Sequence, residues 1–281
     1  MKKKLLITMG CSVTQGYGSW DYSIVPDNKK IWKYDYADIT SYEKLHLDIF
    51  LKNSWPYKLQ RLIKFDKLIN FGINGSSASH QVKAFTESLI DEYFEEYDVT
   101  LIWLVTFSDR ISFYNGGKLE SYNSYSSTNL YKEYINEIGW LETDIRLEML
   151  SYIKIIYEIS NSRNWNFIFS TLDLYDGEFI KQYYPKSISE NIYIPDFGYK
   201  IFRMVQSNPE LKSKICDHPN ELGYSEIANK IHSWILDNKP EFLNTYTPDS
   251  YESIAYKQKI YERYDGEIRL DIIDNINKTT L

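Results

Sequence analysis

Cysteine is scarce in this sequence. Only two occur among 281 residues, Cys11 and Cys216, and they do not form a metal-ligand spacing motif. Two cysteines cannot build the disulfide framework of a small secreted domain, so a reducing compartment is the default. We therefore expect a cytoplasmic protein, with association with a virion as the other setting that the sequence leaves open.

Basic charge and long apolar runs are also lacking. The net charge is −7 with no long run of one sign, whereas a nucleic-acid partner needs a basic face. No apolar stretch approaches the ~20 residues that span a bilayer. The apolar run Leu5 to Met9 follows three lysines, but it is shorter than the about 7–15 residues of a signal-peptide core. We interpret it as a first β-strand and expect neither a nucleic-acid nor a membrane partner.

Aromatic residues, in contrast, are abundant. They make up 16% of the chain and include 26 tyrosines, and apolar residues reach 43%, enough for a sizeable core. The tyrosines accompany many Lys, Asn and Ile residues, which is typical of an AT-rich genome. Tyrosine rings also suit sugar rings, so a surface that faces carbohydrate is a second interpretation.

Short apolar runs alternate with segments of helical periodicity along the chain. The run Val99 to Val105 is apolar except for Thr100, as expected for a strand buried on both faces. The alternation predicts a three-layer α/β/α fold with a doubly wound parallel sheet, of flavodoxin-like type. The predicted strands cover 4–9, 67–71, 99–105 and 166–170, with 191–195 as a candidate fifth. The predicted helices begin near 54, 78 and 144, and the segment 217–224 leads into a last helix.

The length fits one large domain with elaborations. We assign residues 1–239 to this domain, with insertions at about 17–52 and 111–138 that are long for loops of a compact fold. Residues 240–281 are polar, rich in tyrosine and weakly periodic. They form a C-terminal extension without an assigned role, which we expect to pack on the domain or on a neighbouring copy, so that oligomers could form through it.

Residues suited to acyl transfer follow the predicted strands. Ser12, Gly75 and Ser108 come after three successive strands, and His218 lies in a loop before the last helix. In a doubly wound sheet such loops meet at the carboxyl edge, where ligands bind. Acyl transfer needs a nucleophile, a base and hydrogen-bond donors for an oxyanion, and these loops could supply all three.

Three of these segments resemble the conserved blocks of the SGNH (GDSL-type) hydrolases. Gly10-Cys11-Ser12-Val13-Thr14 resembles the first block, Asn70-Phe71-Gly72-Ile73-Asn74-Gly75 the second, and His218-Pro219-Asn220 the last. The resemblance covers roughly residues 4–237. The form Gly-Cys-Ser and the triplet Ser54-Trp55-Pro56 are similar to a bacterial and phage branch of that family.

The resemblance implies a serine esterase that acts on a small acyl ester, with an O-acetylated carbohydrate as a candidate substrate. Ser12 would be the nucleophile and His218 the base, while the backbone N–H groups of Ser12 and Gly75 would bind the oxyanion. Neither a metal nor an organic cofactor is implied.

Two positions depart from the family pattern. Ser108 stands where the third block has an asparagine that donates to the oxyanion, and Ile215 stands where the last block has its aspartate. Asp217 is the candidate for the acid of the triad, with Asp196, Asp173 or the absence of any acid as alternatives. Arg110, two residues after Ser108, could bind an anionic group of the substrate or clamp the loop.

Two other classes of function stay open at this point. The departures favour a catalytically degenerate SGNH-fold module that binds glycans or has a structural role in a virion or another assembly. A phosphate- or flavin-binding domain could use Ser12, Thr14 and Gly16. It would lack a Gly-Lys-Ser/Thr motif and would leave the block that begins at His218 unexplained.

Overall fold

A computed structural model describes most of the chain. It covers residues 2–19, 52–73, 75–89, 94–115, 118–122, 133, 137, 139, 142–184, 192–194, 197–213, 218–239, 252–255, 263–264 and 267–268.

Five parallel strands form the central sheet. In chain order the strands among the described residues are β1 (Lys3–Gly10), β2 (Lys67–Gly72), β3 (Tyr97–Val105), β4 (Ile111–Asn115), β5 (Lys118–Tyr122), β6 (Asn166–Thr171), β7 (Glu252–Ala255), β8 (Arg263–Tyr264) and β9 (Glu267–Ile268). The central sheet has the order β6-β3-β1-β2-β7, and every pair in it is parallel. Two antiparallel pairs, β4 with β5 and β8 with β9, lie outside it.

Helices connect and flank these strands. They are α1 (Ser12–Gln15), α2 (Trp55–Ile63), α3 (Ala78–Leu89), α4 (Glu142–Ser162), α5 (Leu174–Tyr183), a π-helical segment (Phe197–Phe202), α6 (Arg203–Ser207) and α7 (Glu221–Asn238). None of the helices in the described part of the chain combines the length and apolar composition of a membrane span.

The sheet separates two apolar cores because successive side chains of a strand point to opposite faces. Leu5, Ile7 and Met9 of β1 belong to one core, which α3, α4 and α5 cover. Leu6 belongs to the other core, which α2 and α7 cover. The predicted three-layer α/β/α architecture with a parallel sheet is therefore confirmed.

The start of α2 follows its sequence signals. Ser54 is the N-cap residue, although its side chain makes no capping hydrogen bond, and Pro56 lies in the first turn. Proline suits this position because the first N–H groups of a helix have no intrahelical acceptor. The helix ends at Ile63, and Lys64 adopts a left-handed conformation with φ of 62°.

The candidate fifth strand at 191–195 is described at residues 192–194, which form one bridge with the sheet. Tyr193 pairs in parallel with Phe169 of β6, and the Ile194 N–H donates to the Phe169 carbonyl at 2.9 Å. Residues 191 and 195 lie outside the described residues. Among the described residues 192–194, this segment continues the sheet beyond β6 by one bridge.

The predicted insertions and extension are partly described. The hairpin β4–β5 belongs to the 111–138 insertion, whereas only residues 17–19 and 52 of the other insertion are described. Within the extension, β7 pairs in parallel with β2 at the edge of the sheet. The domain boundary at 239 stays a prediction.

The connectivity places a topological switch at β1. Strands β2 and β3 follow β1 in the chain but lie on its two opposite sides. In open α/β sheets the crevice for ligands forms outside the carboxyl ends of the strands at such a switch. The residues that directly follow β1 begin with Cys11 and Ser12.

Candidate active site

Ser12 lies in a tight turn between β1 and α1. The turn needs glycine at position 10, because a Cβ there would collide with Thr14 Oγ1 and lie 2.9 Å from the Leu104 carbonyl. The chain then enters the one-turn helix α1 at Ser12 and leaves it at Gly16, which has φ of 95°. The Ser12 side chain is thus placed directly at the switch point, and the residue is 6% exposed.

His218 faces Ser12 from the loop before α7. Its Nε2 lies 2.7 Å from Ser12 Oγ, although 206 positions separate the two residues in the sequence. The Tyr17 ring packs edge-on against the imidazole, with the ring centroids 5.0 Å apart. The structure thus brings the predicted nucleophile and the predicted base into hydrogen-bond contact.

Backbone hydrogen bonds hold the His218 loop on both sides. The Ser213 N–H donates to the His218 carbonyl at 2.8 Å, and the Asn220 N–H donates to the Leu211 carbonyl at 2.9 Å. The Asn220 side chain caps α7 by accepting from the Gly223 N–H at 2.9 Å. These bonds define where the imidazole sits, which suits a group that must transfer a proton.

Gly75 lies in a turn that is joined to the end of β1. Its φ of +74° favours glycine, and no heavy atom of the described residues beyond its chain neighbours lies within 4 Å of the place that a Cβ would take. The Ser76 N–H donates to the Ile73 carbonyl at 3.3 Å, and the Ile73 N–H donates to the Gly10 carbonyl at 2.9 Å. Gly75 therefore borders open space in a turn connected to the Ser12 turn, while Asn74 lies outside the described residues.

Asn70 forms a buried network beneath the two turns. Its Oδ1 accepts from Thr8 Oγ1 at 3.1 Å and from the Gly72 N–H at 2.9 Å, and its Nδ2 donates to the Thr14 carbonyl at 3.0 Å. The sequence analysis gave Asn70 no role of its own. The sequence feature that could have identified Asn70 is its polar side chain within an otherwise apolar buried strand.

Ser108 is bound by a buried carboxylate. Its N–H donates to Asp176 Oδ2 at 2.9 Å and its hydroxyl donates to Asp176 Oδ1 at 2.6 Å. Arg146 Nε also reaches Asp176 Oδ1, at 3.1 Å. The hydroxyl proton of Ser108 is therefore donated to a hydrogen bond with Asp176. The predicted role of Ser108 at the oxyanion stays a prediction.

Burial perturbs the Asp176 carboxyl, which the sequence analysis had missed. The residue is 1% exposed, and desolvation raises the pKa of Asp176, while its hydrogen bonds from Ser108 and from Arg146 act in the opposite direction. Nearby Asp173 raises this pKa further. Asp176 lies in the first turn of α5, so it ties the loop after β3 to that helix.

Arg110 lies at the same turn as Gly75. Its Nη1 donates to the Ser76 carbonyl at 3.4 Å, and its Cζ lies 5.9 Å from the centroid of the Phe107 ring. The carbonyl contact fits the clamp interpretation of Arg110. The anion-binding interpretation stays a prediction.

Of the three candidates for the acid of the triad, only Asp173 lies among the described residues. Asp217, like Ile215, lies in the segment 214–217, outside the described residues, and so does Asp196. Asp173 caps α5, because its Oδ1 accepts from the N–H groups of Tyr175 and Asp176 at 2.8 and 3.3 Å. The role of Asp217 stays a prediction.

Within the described ranges, no three His, Cys, Asp or Glu side chains come together as a metal site requires.

The fold and the site together define a three-layer α/β/α protein with a serine–histidine pair at the carboxyl edge of its parallel sheet. Similar solved structures include a lipolytic protein of the G-D-S-L family from Veillonella parvula DSM 2008. It is 16% identical, with 82% of this chain and 97% of that chain covered and a TM-score of 0.43.

Two further solved structures are similar to this chain. One is AlinE4, an SGNH-hydrolase family esterase, at 16% identity, with 85% and 98% of the two chains covered and a TM-score of 0.39. The other is a two-domain esterase active on acetylated mannans, at 14% identity, with 92% of this chain and 57% of that chain covered and a TM-score of 0.43. No family model and no curated protein matches this chain. The bacterial and phage branch stays a prediction.

Proposed function

We propose that this protein is a serine ester hydrolase in which Ser12 is the nucleophile and His218 the general base. The observation that carries the proposal is the 2.7 Å contact between Ser12 Oγ and His218 Nε2. A serine hydroxyl is a weak nucleophile unless an adjacent base removes its proton, and this distance is within the range for such a transfer.

The reaction proceeds in two stages. With the imidazole proton on Nδ1, His218 Nε2 accepts the Ser12 proton while Oγ attacks the ester carbonyl. The tetrahedral intermediate collapses, the leaving alcohol takes the proton from Nε2, and the acyl group remains on Ser12. A water molecule then repeats the sequence and releases the acid.

Backbone N–H groups stabilise the negative charge of the intermediate. The N–H of Ser12 and the N–H of Gly75 are the two donors in this proposal, and Gly75 suits the role because the space beside it is open. A third donor from Ser108 is not part of the proposal, since that hydroxyl donates to Asp176. Loss of one donor typically costs about 10²–10³ in kcat, so a site with two donors is expected to be a modest catalyst.

The substrate we propose is a small acyl ester, with O-acetylated carbohydrate as the candidate class. The support is compositional: 26 tyrosines offer rings against which sugars can pack. The Arg110 guanidinium lies beside the Gly75 turn, so we expect it to favour the binding of an anionic sugar.

A fluorophosphonate probe tests the assignment of the nucleophile. The probe should label Ser12, and peptide mass spectrometry should locate the adduct there, because the probe reacts with serines that a base activates. Labelling should disappear in Ser12→Ala. In His218→Ala, hydrolysis of p-nitrophenyl acetate should fall by about 10²–10⁴ in kcat.

The matched control is Cys11→Ala, which alters the neighbouring buried side chain and leaves both reacting groups in place. It should label and hydrolyse like the wild type. Folded wild-type protein that neither labels nor hydrolyses any member of a broad ester panel would contradict the proposal.

A non-catalytic binding module is the second candidate. The observation that favours it is the engagement of Ser108 with Asp176, at the position where the related block carries its oxyanion asparagine. The same labelling experiment separates the two candidates, because a binding module would keep the fold and bind glycans without forming an adduct.

A further inference from the structure

Asn70 is a buried amide whose hydrogen bonds reach β1, α1 and the end of β2, the elements that lead to the Ser12 and Gly75 turns. It is 3% exposed and lies in β2 among apolar neighbours. Polar side chains are costly inside a sheet unless they are fully hydrogen-bonded. Both ends of this amide are hydrogen-bonded, and the partners lie on β1, α1 and β2.

The amide nitrogen of Asn70 satisfies the end of α1. The last carbonyls of a helix have no intrahelical donor, and in a one-turn helix this affects most of the element. The Asn70 Nδ2 group donates to the Thr14 carbonyl at 3.0 Å. Thr14 is fully buried, so water cannot replace this bond at the residue.

The amide oxygen of Asn70 holds the strand that leads to Gly75. It accepts from the Gly72 N–H at 2.9 Å, where β2 ends, and from Thr8 Oγ1 at 3.1 Å. Gly72 packs directly on α1, since a Cβ there would collide with the backbone of Gln15. The helix that begins with Ser12 and the strand that leads to Gly75 are therefore joined through one side chain.

We propose that Asn70 is a positioning residue that fixes Ser12 relative to the Gly75 turn and to His218. The inference rests on the proposed function for its catalytic consequence, but the geometric part concerns only the Ser12–His218 contact. An asparagine is suited to this place because one planar group supplies an acceptor with two lone pairs and a donor. Aspartate would keep the acceptors and lose the donor to Thr14.

The experiment compares Asn70→Ser and Asn70→Asp with the control Thr8→Val. Both Asn70 variants remove the bond to the Thr14 carbonyl. Thr8→Val removes only the Thr8 bond to the same Oδ1 and leaves the contact with α1 intact. The three readouts are the thermal midpoint, the rate constant for phosphonylation of Ser12, and the NMR titration of the His218 imidazole.

The expected result separates positioning from stability. All three variants should lower the thermal midpoint. Only the Asn70 variants should slow phosphonylation, by about 10–100-fold, because a displacement near 1 Å at a reacting group can cost about 10²-fold. Their His218 titration should shift towards that of Ser12→Ala, whereas Thr8→Val should match the wild type.

Two results would overturn the inference. One is a wild-type phosphonylation rate and His218 titration in Asn70→Ser despite a lower midpoint, which would leave Asn70 a purely structural role. The other is an equal loss in Thr8→Val. If Asn70→Ser does not fold, Asn70→Asp, which preserves the side-chain volume, provides the same comparison.

Failure of the proposed function gives a different pattern. Wild-type protein would then not react with the probe at all, while the His218 titration would still report whether Asn70 holds Ser12 against the imidazole. The positioning role is decided by that titration alone in this case.

Discussion

At the scale of single residues, Tyr184 carries a buried hydroxyl that has no hydrogen-bond partner among the described residues. The residue is 6% exposed and its ring packs edge-on against Phe169, with the centroids 5.8 Å apart. A buried, unsatisfied polar group costs about 1–3 kcal/mol. The ring of Tyr184 therefore stabilises the core while its hydroxyl opposes folding.

Replacing this hydroxyl should stabilise the protein. Tyr184→Phe keeps the ring and removes the unsatisfied group, so the free energy of unfolding at pH 7 should rise by about 1 kcal/mol. Urea denaturation measures the change. The adjacent Tyr183 is 52% exposed, so Tyr183→Phe should change the free energy by less than about 0.5 kcal/mol. A lower stability in Tyr184→Phe would contradict this account.

Alkaline pH should enlarge the difference between Tyr184→Phe and the wild type. Burial, with smaller contributions from Tyr157 and Glu158, raises the pKa of Tyr184 from 10.0 to about 12. Above pH 10 the unfolded chain releases this proton while the folded chain keeps it, so the wild type loses stability as the pH rises towards 12. The stability gap should grow by on the order of 1 kcal/mol per pH unit in this window, because other titrating groups cancel in the comparison.

At the scale of elements, the loop after β3 is tied to α5 through Ser108 and Asp176. The two hydrogen bonds, at 2.9 and 2.6 Å, involve a carboxylate that is 1% exposed. Hydrogen bonds to charged groups contribute about 1.5–3 kcal/mol each. The contact therefore has a clear role in stability, whatever its relation to catalysis.

Ser108→Ala should accordingly lower stability more than activity. The variant removes the hydroxyl donor to Asp176 and leaves the backbone donor, so the free energy of unfolding should fall by about 1.5–3 kcal/mol. The kcat for p-nitrophenyl acetate should change little at temperatures where the variant is folded. A fall in kcat of about 10²–10³ would instead show that Ser108 donates to the oxyanion. Ser225→Ala on α7, whose hydroxyl bonds an exposed carbonyl of its own helix, is a matched control for loss of a serine hydroxyl.

The sequence predicted these elements well where composition alone decides them. Val99 to Val105 is apolar except for Thr100 and lies in the strand β3. The loops with Ser12 and His218 were expected to meet because loops of a doubly wound sheet converge on one edge, and the two side chains are in contact. The contact of Ser108 with Asp176 could not be predicted in the same way. It depends on how α5 is rotated against the end of β3, which no local pattern encodes.

The role of Asn70 could not be predicted from the sequence for a related reason. Its partners are set by the register of β1 against β2, in which Thr8 lies opposite Asn70 and Gly10 opposite Gly72. A one-residue shift would turn the amide to the other face of the sheet. Apolar periodicity predicts that two strands exist, but it does not determine their register to one residue.

At the scale of the whole molecule, the C-terminal extension supplies β7, which covers β2 and forms the edge strand on that side of the sheet. β7 pairs with β2 over four residues, from Lys67 opposite Glu252 to Asn70 opposite Ala255. An open edge strand exposes unpaired N–H and C=O groups that attract other strands. Because β2 also carries Asn70, its stability bears directly on the candidate site.

Two truncated chains test this function of β7. A chain that ends at residue 258 keeps β7, whereas a chain that ends at residue 247 loses it. We expect the longer chain to have the same thermal midpoint and the same oligomeric state in solution as the full-length protein. The shorter chain should unfold at lower temperature and associate as its concentration rises, because the β2 edge is then open. Light scattering and calorimetry measure both effects. If the full-length protein is an oligomer and the chain that ends at residue 247 is a monomer, the extension instead makes contacts between copies. If the two truncated chains behave alike, β7 does not protect the edge of the sheet.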